Sequence, residues 1–156
     1  MNTNVEAQAE AWLRDTLRQC ADALPPLMRR WHAEIGEKTG VWLDYISFEP
    51  ILQGLPDEAL AADRVESDLF RVVERIRGLS DICSRARRFY FLHRLGLPDT
   101  SEAWAWIFAE TGDVQVRLTA AANVLVNLKT GSKVLESVLA AQSARAALGH
   151  KAGGDS

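Results

Sequence analysis

The chain is poor in cysteine and lysine and has no apolar run long enough for a membrane. Its two cysteines, Cys20 and Cys83, stand in no CxxC pattern, so neither a disulfide framework nor a cysteine zinc site is expected. Both fall at apolar positions of helical patterns, where a free thiol behaves as a small hydrophobe. A reducing compartment is the simplest expectation. No stretch of about 18 apolar residues occurs, and no membrane span is expected. The opening MNTNVEAQAEAWLRD carries acids where a secretion signal needs basic residues followed by an apolar run. A soluble, cytoplasmic protein follows.

Lysine is scarce, four against fourteen arginines, and the net charge is −3. A dedicated nucleic-acid binder is more often basic overall, so that function would have to rest on a local patch. The preference for arginine and alanine hints at a GC-rich bacterial or phage genome.

Chemical signatures are missing too. There is no HExxH, and no Glu stands three residues before His32, His93 or His150, which removes the Glu-x-x-His units of di-iron bundles. There is no phosphate-binding glycine loop and no GxSxG elbow. Cys83 and His93 are ten residues apart on one expected helix; at 1.5 Å of rise per residue they stand roughly 15 Å apart, beyond hydrogen-bond reach. Cys20 could meet His32 only if two helices folded back there. Neither an enzyme nor a cofactor is expected.

What the chain does have is helical periodicity. With 47% hydrophobic and 25% charged residues it has an ordinary globular composition, and 156 residues make one domain with a real core. We expect residues 1–148 to form it and 149–156 to be a frayed tail. Val5, Trp12, Leu13, Leu17, Cys20 and Leu24 recur at three- and four-residue steps. Pro25-Pro26 predicts a stop and a second short helix bearing Leu27, Met28, Trp31 and Ile35, with Gly36 and Gly40 bracketing its end. Residues 41–56, broken by Pro50, Gly54 and Pro56, read as one or two helical turns in a packed connector.

The strongest pattern follows. Val65, Leu69, Val72, Ile76, Leu79, Cys83, Ala86 and Tyr90 step by alternating fours and threes, an a/d seam that predicts one long central helix from about 58 to 95. Gly96 and Pro98 end it. A short helix SEAWAWIFAE then opens, with Asp99 and Glu102 as a reciprocal cap. Gly112-Asp113 restarts the chain into a seam of Val114, Leu118, Ala121, Leu125 and Leu128. Ser132 caps a last helix bearing Val134, Leu135, Val138, Leu139 and Gln142. The expected fold is all-α, a compact bundle of about six helices.

Residues 84–96, SRARRFYFLHRLG, hold four arginines, three consecutive aromatics and no acid. Arg77, Arg85 and Arg88 share a helix face with Glu74 and Asp81, a mixed-charge solvated surface. Phe89, Tyr90 and Phe91 point three ways, and a turn that is apolar all round must enter a core or meet another chain. Residues 57–83 carry seven acids and four arginines, whereas residues 84–98 carry four arginines and no acid. This polarity suits antiparallel pairing with a second copy.

Arginine beside aromatics is the composition of protein–protein hot spots, and equally of a single-strand nucleic-acid platform. The overall acidity favours the protein reading. Arg87, Arg88, Phe91, Arg94 and Trp106 are therefore the candidate partner-binding residues. Gln115, Thr119, Asn123 and Asn127, an uncharged stripe at four-residue spacing, are a second candidate strip. The expected function is a non-enzymatic protein-binding module, an adaptor, inhibitor, immunity-type or chaperone-like factor. Binding of RNA or DNA through the arginine-rich end is the alternative.

Overall fold

A computed structural model describes residues 3–43, 49–62, 66–96 and 103–142, and among them every regular element is helical. We label the helices α1 (Thr3–Trp31), α2 (Glu49–Ala61), α3 (Glu66–Gly96), α4 (Ala105–Lys129) and α5 (135–142). The architecture is the expected helical bundle, with five helices among the described residues where about six were expected. The tail 149–156 and the Asp99–Glu102 cap lie outside the described residues.

The first difference is at Pro25-Pro26, which α1 runs straight through. Each proline lacks an N–H and crowds the carbonyl four residues back, at about 3 kcal/mol or more. The compensation is burial. Leu13, Leu17, Cys20, Leu24, Met28, Trp31 and Ile35 are all buried, one stripe whose phase does not break across the prolines. Each large side chain so buried contributes about 1.5–3 kcal/mol, and stopping at Leu24 would leave three of them without a common face.

After Trp31 the helix widens into one π turn, His32–Gly36, and continues as Glu37–Thr39. Gly40 closes it in the left-handed conformation, φ 73°, which an L side chain adopts only at a cost. Gly40 N–H donates to the Gly36 carbonyl at 2.8 Å, and Thr39 Oγ1 to the Ile35 carbonyl at 2.7 Å. The chain then turns back, pinned by a 2.9 Å hydrogen bond from Trp31 Nε1 to the Val41 carbonyl. Gly36 thus lies inside the helical run. A Cβ there would stand 2.6 Å from the Trp42 ring, so the glycine is what lets Trp42 lie against the π turn.

In the 41–56 region the structure shows more helix than the breakers imply. Leu52, Leu55 and Ala59 form a buried stripe along α2, and Pro56 is buried within it. Residues 44–48 lie outside the description. An ion pair between Glu58 and Arg75 ties α2 to α3. Lys129 Nζ donates to the Leu60 carbonyl at 2.6 Å, a cation on the unsatisfied carbonyl end of α2.

The long helix begins at Glu66, because Glu58–Ala61 are the last turn of α2. Its seam is as expected: Val72, Ile76, Leu79, Cys83, Ala86 and Tyr90 are buried, Leu69 is partly so, and Val65 lies outside the description. The most enclosed helix is α4, which packs along α3 and along α1. It runs unbroken through Gly112-Asp113. Val114, Leu118, Ala121, Leu125 and Leu128 form one buried stripe, and Ala120 and Val124 form a second, so no restart is needed.

Gly131, φ 67°, turns the chain into α5. Ser132 Oγ accepts the Val134 N–H at 3.3 Å, the expected capping role. Leu135, Leu139 and Gln142 are buried, while Val134 is exposed.

Two outcomes follow. Gly36→Ala should lose about 1–3 kcal/mol through the forced shift of Trp42, read by urea unfolding followed through tryptophan fluorescence. Both thiols are pushed up to about 12 from an ordinary 9.0; burial is the main cause, opposed by Arg117 near Cys20 and by Arg87 near Cys83. The native state therefore keeps protons that the unfolded state releases. Stability contributed by the thiols should be fully present below about pH 9 and lost between about pH 9 and 12, at up to about 1.4 kcal/mol per pH unit per thiol. Urea midpoints across that range, compared with Cys20→Ala and Cys83→Ala, measure it.

Candidate functional site

The arginine- and aromatic-rich end of α3 is buried on one side only. Ala86 and Tyr90 join Met28, Trp31, Ile35, Leu43, Trp104 and Ile107 in a second core cluster. Phe89 completes it from the edge, 5.2 Å from Trp31 and 6.2 Å from Trp104 by ring centroids. His93 is sandwiched there, 5.4 Å from Phe89 and 4.7 Å from Trp104. On the other sides Phe91, Leu92 and Leu95 remain 55%, 62% and 71% exposed. The apolar turn thus reaches the core only through Phe89 and Tyr90.

The five candidate residues do not form one patch. Arg87 is half-buried against α4. Its guanidinium carbon lies 4.3 Å from the centroid of Phe108, and Nη1 donates to Gln115 Oε1 at 3.3 Å. Its Nε is shielded from solvent and has no hydrogen-bond partner. Among the described residues no carboxylate forms a salt bridge with it. Phe91, one helical turn on, shares that flank of α3. Arg88 is rotated by about 100° onto the outward face and is exposed. The Arg94 side chain lies outside the description.

Trp106 belongs elsewhere. It stacks with Arg30 of α1, guanidinium carbon 4.4 Å from the ring centroid. It also lines an apolar cavity of about 10 Å³ beside Met28, Trp31 and Cys83, room for one water at most and without the polar partners a water needs. Trp104 is buried and Trp106 half-buried on another side of the helix, as expected of tryptophans two apart and consistent with a helix between two layers. Arg85 is a strap, donating to the Leu43 carbonyl at 3.0 Å.

The second strip is joined to the first. Gln115 is the residue that receives Arg87. Thr119 and Asn123 are exposed, and half-buried Asn127 donates Nδ2 to the Asn123 carbonyl at 2.8 Å. Phe108, 48% exposed, lies seven residues before Gln115 on the same flank. Gly112 sits between them, where a Cβ would stand 3.5 Å from the Arg87 guanidinium. Phe91, Arg87, Phe108, Gln115, Thr119 and Asn123 therefore follow one another along one side of the α3–α4 pair. Asp113 and Arg117, on the side of α4 toward Cys20 of α1, pair with each other at 3.2 Å.

Sequence reasoning missed Phe108. Its signal was the seven-residue spacing to Gln115, but the supposed break at Gly112 prevented the helical phase from being carried across.

Among the described residues no group of three or more His, Cys, Asp or Glu is placed to hold a metal ion, and no helix is long and apolar enough to cross a membrane. The Cys20–His32 pairing is excluded, because both lie on one continuous helical run, about 18 Å apart in rise. No family model, curated protein or solved structure matches this chain.

A half-buried guanidinium with one neutral acceptor and an orphaned Nε contributes little to folding, since desolvation offsets its contacts. Arg87→Met should therefore leave stability within about 1 kcal/mol of wild type or raise it. Equilibrium urea unfolding tests this; a structural arginine would instead lose several kcal/mol.

Proposed function

We propose that the chain is a non-enzymatic protein-binding module that works by covering a partner's surface with the α3–α4 flank. The observation that carries this reading is Arg87, held between Phe108, Gly112 and Gln115 with its Nε unsatisfied. Phe91 and Phe108, both exposed, flank it. An arginine pre-oriented on an aromatic face loses little side-chain entropy on binding, and aromatic residues beside it are the usual anchors of an interface. The neutral run of Gln115, Thr119 and Asn123 adds donors and acceptors that suit a partner's backbone and side-chain amides.

The dispersal of the arginines weighs against nucleic acid. Arg87 is tucked against α4, Arg85 is committed to the Leu43 carbonyl, and Arg88 faces another way. Phosphate binding gains most from several cations converging on one groove.

The test is a tagged capture from bacterial lysate, divided into nuclease-treated and untreated halves, with wild type beside Phe91→Ala/Phe108→Ala and Arg87→Met. A stoichiometric protein that survives nuclease and is lost with the variants is the expected result. An eluate that is mainly nucleic acid, emptied by digestion and falling steeply with salt, would overturn the reading in favour of nucleic-acid binding.

A further inference from the structure

The outward face of α3 is a different surface from the flank that meets α4. Turned by about 100° per residue, Phe70, Glu74, Arg77, Asp81, Ser84, Arg88, Leu92 and Leu95 fall along one line of the helix. Phe70 is 63% exposed near its start, and Leu92 and Leu95 are more than 60% exposed near its end. Phe70 and Leu92 stand about 33 Å apart along the axis. Between them the face is charged, with exposed Gly78 and half-buried Ser84 near its middle. The ion pair that occupies it, Arg77–Glu74 at 3.3 Å, lies within the helix and is well exposed. Such pairs are weak and open to exchange.

This arrangement complements itself when reversed. Pairing each residue with the one equidistant from Asp81 sets Phe70 against Leu92, with Leu95 one turn beyond. It sets Glu74 against Arg88 and Gly78 against Ser84. Each Asp81 then lies at the two-fold axis opposite its counterpart, with Arg77 of the other chain one turn away, while Arg85 stays on the Leu43 carbonyl. Apolar contacts at both ends, two Glu74–Arg88 pairs between them, an Arg77 from each chain to offset the two Asp81 carboxylates, and small residues beside the axis are what an isologous antiparallel interface needs. A parallel pairing would put Phe70 on Phe70 and Arg88 on Arg88, leaving like charges opposed.

We infer that the outward face of α3 is a self-association surface on which a second copy of this chain docks antiparallel about Asp81, joining Phe70 to Leu92 and Glu74 to Arg88. The inference goes beyond the heterologous partner site and does not depend on it, since none of these residues lies on the α3–α4 flank.

Sedimentation of the full chain at concentrations up to about 100 µM, well above a micromolar dissociation constant, should show a species of twice the monomer mass. Glu74→Arg and Arg88→Glu should each weaken dimerisation by about tenfold or more through like-charge opposition, and the double exchange Glu74→Arg/Arg88→Glu should recover it. Orientation is read by oxidation: chains carrying Glu74→Cys should cross-link to chains carrying Arg88→Cys, and neither should cross-link readily to itself. A monomer throughout, a dimer indifferent to both charge reversals, or preferential self-cross-linking would each overturn the inference. Circular dichroism of these exposed variants separates lost association from lost folding. A wild-type chain that stays monomeric while still capturing a partner would count against this surface alone.

Discussion

The structure depends on α4 having two sides to bury. A helix with one apolar stripe can end wherever its partner ends, but one enclosed between α1 and α3 must present Leu118, Leu125 and Leu128 to one layer and Ala120 and Val124 to another. The alanines let backbones approach closely, and the larger side chains fill the space at the spacing of a heptad seam. That double burial makes Gly112 tolerable in mid-helix, at about 1 kcal/mol relative to alanine. It also sets the rotation of α4 and thereby decides which residues remain outside.

The same constraint explains why the surface has its character. With Val114 and Leu118 turned inward, Phe108, Gln115, Thr119 and Asn123 come round together on the side next to α3. There Gly112 leaves space for the Arg87 guanidinium. The outcome is an arginine on an aromatic ring beside an uncharged amide strip. Folding alone has little use for it, because a guanidinium loses hydration there and regains only one neutral hydrogen bond. On the neighbouring face of α3, which no other helix covers among the described residues, the pattern passes from Phe70 through alternating charges to Leu92 and Leu95. Two faces of one helix thus differ in what they offer: a fixed polar anchor among aromatics, and a charged stripe closed at both ends by apolar side chains.

Periodicity predicted best where burial is repetitive. The seams from Leu69 to Tyr90 and from Val114 to Leu128 were legible because each core layer needs an apolar residue every three or four positions. The predicted breaks were less secure. Pro25-Pro26 and Gly112-Asp113 are local signals, each set against several buried side chains whose phase continues across them, and the sum of burial exceeds the local cost. In α2 the stripe of Leu52, Leu55 and Ala59 was present all along, masked to the eye by Gly54 and Pro56. The site followed from these errors. Arg87 and Phe91 could be singled out by type, but Phe108 could not be joined to them while α4 was divided, and Trp106 looked available because Arg30 is distant in sequence.

By itself the sequence determined that this is an all-helical protein with long seams, no cysteine or histidine signature for metal or nucleophilic chemistry, and a helix acidic at one end and basic at the other. These are properties of composition and of spacing within single helices, which neighbours along the chain decide. Only the tertiary structure decided that α1 survives two prolines, that Trp106 rests beneath Arg30, and that Arg87 spans from α3 to Gln115. Each of these depends on how much surface two distant segments bury against one another, and no local propensity encodes that quantity.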